Sequence, residues 1–167
     1  MLNSKGLSGV ITMVLLVGLV VVAVAIVGVV LRNLITEEIK GTESCFGNYN
    51  EVSIEPLYTC YNLSSEKLLI SIKIGGINVD GVLVAISGTG TTKSFKIQNT
   101  SSTITGLTNY PSGSTSVKLP GQNGGLTYIY NLTEGGFSSK PDRIEIAPVI
   151  NNKQCDVSDF LSSIDNC

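Results

Sequence analysis

LSGVITMVLLVGLVVVAVAIVGVVL, residues 7–31, decides the organisation of this chain. Its 25 residues carry no charge, and ten of them are valine. Aliphatic side chains surround it on every side, so it has no polar face with which to lie on a soluble core. As an α-helix it would be about 37 Å long, enough to cross a hydrocarbon layer ~30 Å thick. Valine loses χ1 freedom in a helix, which disfavours this stretch as a helix in water. In lipid the backbone must bond to itself, and helix wins over that preference. The competing reading, a buried core helix of a soluble protein, suits runs of only 10–14 residues.

Outward from this run, Lys5 and the N-terminal amine stand on one side, and Arg32, Glu37, Glu38 and Lys40 on the other. The Lys/Arg bias across the span is weak. Orientation rests instead on two features of the C-terminal part. Asn62-Leu63-Ser64, Asn99-Thr100-Ser101 and Asn131-Leu132-Thr133 are N-glycosylation triplets, and all four cysteines also lie C-terminal to the span. Both features favour a C-terminal part outside the cell. Leu31, Leu34, Ile35 and Ile39 fall on one helical stripe, so the helix is expected to continue past the span and to pack that stripe under the outer domain. Gly41 is expected to end it.

Three readings of the N-terminus are open. Ala23-Val24-Ala25 offers a small-x-small cleavage site for an ordinary secretory signal, although the apolar run continues beyond it. An uncut signal anchor is the second reading. The third rests on Lys5-Gly6-Leu7-Ser8, a basic residue and a glycine directly before the long apolar run. This arrangement resembles the class III signal peptide of archaeal type IV pilins and archaellins, and the resemblance covers about 35 residues. It implies cleavage by a membrane-embedded prepilin peptidase between Gly6 and Leu7. Residues 1–6 would then be a leader, 7–40 a membrane and filament-core helix, and 41–167 the outer domain. It further implies that identical subunits bundle their helices into a surface filament after insertion in the membrane, with adhesion or cell contact as the role. Gly9 stands where many archaeal relatives have Pro, and Ile11 where many bacterial pilins have Glu.

The remaining ~127 residues suffice for one core. Glu66–Ile74 and Val79–Ser87 alternate in part and are rich in β-branched residues, with Gly75-Gly76 as a turn between them. Further candidate strands are Val52–Tyr61, Lys93–Gln98, Thr115–Leu119, Leu126–Asn131 and Arg143–Ile150. Seven short strands with turn residues between them predict an immunoglobulin-like β-sandwich. The fold class is therefore α+β, a long N-terminal hydrophobic helix followed by an all-β domain. Pro148 suggests that the last strand is an edge or ends there. The Ser/Thr/Gly-rich section 99–116 reads as a long loop.

Cys45, Cys60, Cys155 and Cys167 allow three pairings. Short local loops favour Cys45–Cys60 and Cys155–Cys167, at about 3 kcal/mol per bridge in the chain-entropy model. The spacing lacks the close CxxC pairs of a zinc site.

The chain has no histidine, which excludes Ser–His and Cys–His nucleophile systems. Glu51 and Glu55, or Asp142 and Glu145, are the available carboxylate pairs, and neither sits in a recognisable motif. The three aspartates 156, 159 and 165 do not fit a calcium loop. Net charge is -2 without a basic patch, so nucleic acid is not an expected partner. These residues point to a non-enzymatic protein that needs no cofactor or metal.

Overall fold

The computed structural model describes residues 4–45 and 50–167; before Cys45 the described side chains are those of Gly9, residues 11–33 and Ile35. The chain divides into two compact units, Met1–Gly41 and Thr42–Cys167.

The first unit is helical. Helix α1 runs from Ser4 to Cys45 without a break. It passes through Gly41, so the expected stop is corrected. A glycine inside a helix costs only about 1 kcal/mol, and here the helix carries on to Cys45, which is covalently held. The glycine nevertheless marks the boundary between the units. Ile11–Asn33 has a mean hydropathy of 3.4 and is long and apolar enough to cross a membrane.

The second unit is a β-sandwich. Its strands are β1 (Val52–Ile54), β2 (Cys60–Asn62), β3 (Lys67–Ile74), β4 (Gly81–Gly88), β5 (Thr91–Gln98), β6 (Ser102–Thr103) and β7 (Leu107–Asn109). Next come β8 (Ser116–Val117), β9 (Gly124–Asn131), β10 (Arg143–Ile150), β11 (Lys153–Gln154), β12 (Asp159–Leu161) and β13 (Asp165–Asn166). One sheet has the order β13-β2-β3-β9-β7, with β1 also on β3. The other has the order β11-β10-β4-β5, with β12 also on β10. Taking β1 and β2 as strand A, this is the A-B-E-D and C′-C-F-G arrangement of an immunoglobulin-like sandwich. Strands β6 and β8 form a separate two-stranded ribbon.

Period-two alternation builds the core. Leu68, Ile70, Ile72 and Ile74 face inward from β3, and Val82, Val84 and Ile86 from β4. Ile144 and Ile146 of β10 join them, all almost completely buried. Antibody domains pin these sheets with a disulfide and a tryptophan. This chain has no tryptophan, and aliphatic packing fills that place.

Gly75-Gly76 does fall in the connection between β3 and β4, and that connection passes from one sheet to the other. The pair makes the crossing, and Gly75 comes close to Glu51 there. A Cβ on Gly75 would collide with the Glu51 side chain, while its N–H donates to the Glu51 carbonyl at 2.6 Å. Several expectations need correction. Pro148 sits in a central strand, not an edge. Its carbonyl accepts from the Cys155 N–H at 2.8 Å, so its ring nitrogen faces the same side. On that side the partner is split into β11 and β12, and no ladder donor is required. The section 99–116 contains β6 and β7, and Leu107 is buried in the core. Val52–Tyr61 is two strands, interrupted by a 3-10 turn at Pro56–Tyr58.

The disulfides also differ from the local pairing. Cys45 bonds Cys155, and Cys60 bonds Cys167, with Cα separations of 5.5 and 5.1 Å. The cause is β13, which pairs parallel to β2 in the register Asp165↔Cys60. The Cys167 N–H then donates to the Tyr61 carbonyl at 3.0 Å, which sets Cys167 beside Cys60.

Candidate functional site: an apolar rod and its covalent junction

The helix presents an unusual surface. Val14 is 66% exposed, Leu19 71% and Ile26 60%, and the large side chains from Ile11 to Leu31 behave alike. Leu31 and Ile35 of the expected stripe are exposed, while the side chains of Leu34 and Ile39 lie outside the described residues. An aliphatic surface of this extent needs an apolar partner beyond the chain itself. Gly9, Gly18 and Gly28 leave open notches on the rod. The helix remains continuous through all three. Lys5, Gly6 and Leu7 lie in the first helical turns, and their side chains fall outside the described residues.

At the other end, Cys45 is the last helical residue and is bridged to Cys155. The second bridge closes a covalent ring from 45–60 and 155–167. A load entering at Cys45 therefore divides between the backbone and a bridge. With all four cysteines oxidised, none is available as a thiolate ligand. Such bridges form and persist in oxidising compartments.

The carboxylates singled out in the sequence are not brought together. The Glu51 carboxylate accepts the Gly76 N–H at 2.8 Å, and Glu55 pairs with Lys73 at 3.5 Å. Glu145 pairs with Arg143, whose guanidinium lies 4.4 Å from the centre of the Phe160 ring. Asp159 accepts the Ile54 N–H at 2.8 Å, and Ser158 donates to the Val52 carbonyl at 2.9 Å. Both stitch β12 to β1 across the open side of the sandwich. Sequence reasoning missed this role, because a three-residue strand gives no periodicity. Among the described residues no three His, Cys, Asp or Glu side chains gather as metal ligands would.

The three glycosylation triplets occupy two regions. Asn62 and Asn131 lie in register on either side of Lys67. The Asn62 carboxamide oxygen accepts from Ser64 and Ser65 N–H groups at 3.1 Å. Asn131 is tied more closely. Its Nδ2 donates to Glu134 at 2.9 Å, and the Thr133 hydroxyl donates to Glu66 at 2.8 Å. Asn99 is exposed just beyond β5.

Two tyrosines are perturbed. Burial holds the Tyr128 phenol far above its ordinary range, and its hydroxyl donates to the Lys118 carbonyl at 2.7 Å. Tyr130 is raised by burial first and by the nearby Glu134 charge second. Both keep the proton and serve packing, with Tyr130 stacked 5.2 Å from Phe95.

Compared with known protein families, with characterised proteins and with solved structures, the chain matches none. The class that fold and site define is thus an α+β protein: one apolar helix, a membrane anchor or signal segment by its character, joined to a disulfide-bridged β-sandwich.

Proposed function

We propose that the chain is a structural subunit of an archaeal type IV pilus-like surface filament, and that it is not an enzyme. The observation that carries this reading is the rod. Residues 11–31 are uncharged, almost all aliphatic, and exposed all round, and they come directly after Lys5-Gly6-Leu7 and three further residues. In the precursor, lipid covers that surface. Removal of residues 1–6 deletes Lys5 and leaves the rod intact, ready to exchange lipid for the rods of identical subunits. The Gly18 and Gly28 notches allow close approach of neighbouring helices. The β-domains then form the outer sheath, with Asn62, Asn99 and Asn131 as glycan acceptors. Partners are identical subunits, the prepilin peptidase and the membrane, with no cofactor and no nucleic acid.

A second reading, a single-pass anchored binding module, is favoured by the sandwich, which buries its own core without a partner. Negative-stain microscopy of surface preparations separates the two. The pilin reading expects filaments that disappear with Gly6→Phe. Filaments that persist with an uncut Gly6→Phe chain, or a wild-type surface bare of them, contradict it.

A further inference from the structure

The outward side of the A-B-E-D sheet carries a feature that membrane attachment does not use. β1 and β2 both pair with β3, and the Pro56–Tyr58 turn fills the gap between them. β3 keeps its bonds across this gap. The Glu55 N–H donates to the Ser71 carbonyl at 3.0 Å, and the Ser71 N–H donates to the Thr59 hydroxyl at 3.1 Å. The turn is left with its side chains in solvent, Leu57 at 88% exposure and Tyr58 at 64%.

Tyr58 lines a cavity of about 440 Å³ shared with Glu55, Ser71, Lys73, Gly125 and Thr127. It is an open groove, so a ligand resting in it keeps one face in solvent. Register explains the opening. Ser71 faces Thr127, and Lys73 faces Gly125, which has no side chain to fill the space. A Cβ at Gly125 would meet only the Ile72 carbonyl oxygen at 3.6 Å, so packing does not demand glycine there. The Ser71 and Thr127 hydroxyls lie 3.2 Å apart on one side of the cavity. Lys73 and Glu55, 3.5 Å apart, supply a donor and an acceptor whose charges cancel.

We propose that this cavity binds a neutral hexose unit of a glycan. Hexoses present apolar C–H faces beside rings of hydroxyls. An exposed aromatic ring suits the first, since it combines an apolar body with a polar tip. Hydroxyls and a charge-balanced Lys–Glu pair suit the second, because each sugar hydroxyl both donates and accepts. A charged ligand gains nothing from a pair that cancels. An apolar ligand would strip water from the Lys73 and Glu55 charges and offer them nothing in return. The site lies wholly within the β-domain, so it stands for a filament subunit and an anchored module alike.

The test uses the full chain in a detergent without a sugar head group. The probes are maltotriose, cellotriose, mannotriose and chitotriose, read by saturation-transfer NMR. At least one should bind with a Kd near ~1 mM. Tyr58→Ala and Gly125→Val should each weaken that binding tenfold or more, and Tyr58→Phe should retain it. Phe160→Ala, at an exposed aromatic residue on the other sheet, should leave it unchanged. Tyr58 and Gly125 both face open space, so these variants fold. The proposal is overturned if none of the four probes binds at millimolar concentration. It is also overturned if binding survives Tyr58→Ala and Gly125→Val, or falls equally with Phe160→Ala.

Discussion

Val14 and Val84 are the same residue in opposite surroundings. Val14 is 66% exposed on the helix, and Val84 is fully buried between the sheets. The helix and the inner strands are both committed to aliphatic side chains, yet they differ in pattern. In β4 buried and half-exposed positions alternate, and β3 buries Leu68, Ile70, Ile72 and Ile74, so each strand has an inside and an outside. Residues 7–31 show no such alternation. Alternation lets a segment satisfy itself by folding on its neighbours. Uniform hydrophobicity leaves a segment that only lipid or other helices can satisfy. The β-domain therefore covers its own apolar side chains, and the rod leaves its own uncovered.

The largest test of this contrast concerns the bridges. With Cys45–Cys155 intact, Cys60–Cys167 closes the ring of 45–60 and 155–167, and the chain-entropy model gives about 3.6 kcal/mol for a loop of ~29 residues. Replacing Cys60 and Cys167 by serine should lower urea unfolding stability of the sandwich by about that amount. A loss below ~1 kcal/mol would show a sandwich that needs no staple. Peptide mapping without reduction should link Cys45 to Cys155, and a Cys45–Cys60 fragment would contradict the fold.

Next in size is a paired substitution. Ile146→Ala empties a fully buried site and should cost about 2–5 kcal/mol. Ile26→Ala on the rod should move the same unfolding transition by less than ~0.5 kcal/mol. Equal shifts would mean that the rod is part of the sandwich core. Comparable in size is Val21→Asp at mid-span. It should cost about 2.5–3.5 kcal/mol of membrane insertion, read as chain released from alkali-washed membranes. Sandwich stability should not change.

The smallest effect is at Tyr128. Losing its hydroxyl bond to Lys118 in Tyr128→Phe should cost about 1 kcal/mol at neutral pH. The folded state holds the Tyr128 proton to higher pH than the unfolded chain does. Stability from this group is thus complete below about pH 10 and falls as pH rises above it. Tyr128→Phe should flatten that alkaline decline in a series of urea titrations, and an unaltered slope would assign the decline to other groups.

Legibility in the sequence divides along the same contrast. The rod was plain, because 25 uncharged residues need no context. Arg143–Ile150 matches β10 end to end, and Val79–Ser87 lies close to β4, because both are rich in β-branched side chains. The sandwich was legible as a class. What escaped were the elements that long-range pairing creates. β11, β12 and β13 are two or three residues long, and two of them are wholly polar. The disulfides escaped with them, since only the parallel β2–β13 register sets Cys60 beside Cys167. The Tyr58 cavity escaped for a related reason. It needs β1 and β2 on one strand, and Gly125 opposite Lys73, neither of which is local.

The most direct test of the central claim is the intact mass of the chain sheared from the cell surface, compared with the chain kept in the membrane. The account predicts a surface chain that begins at Leu7, with residues 1–6 removed and two disulfides intact. A surface chain that still begins at Met1 would contradict it and leave a permanently tethered β-domain in its place.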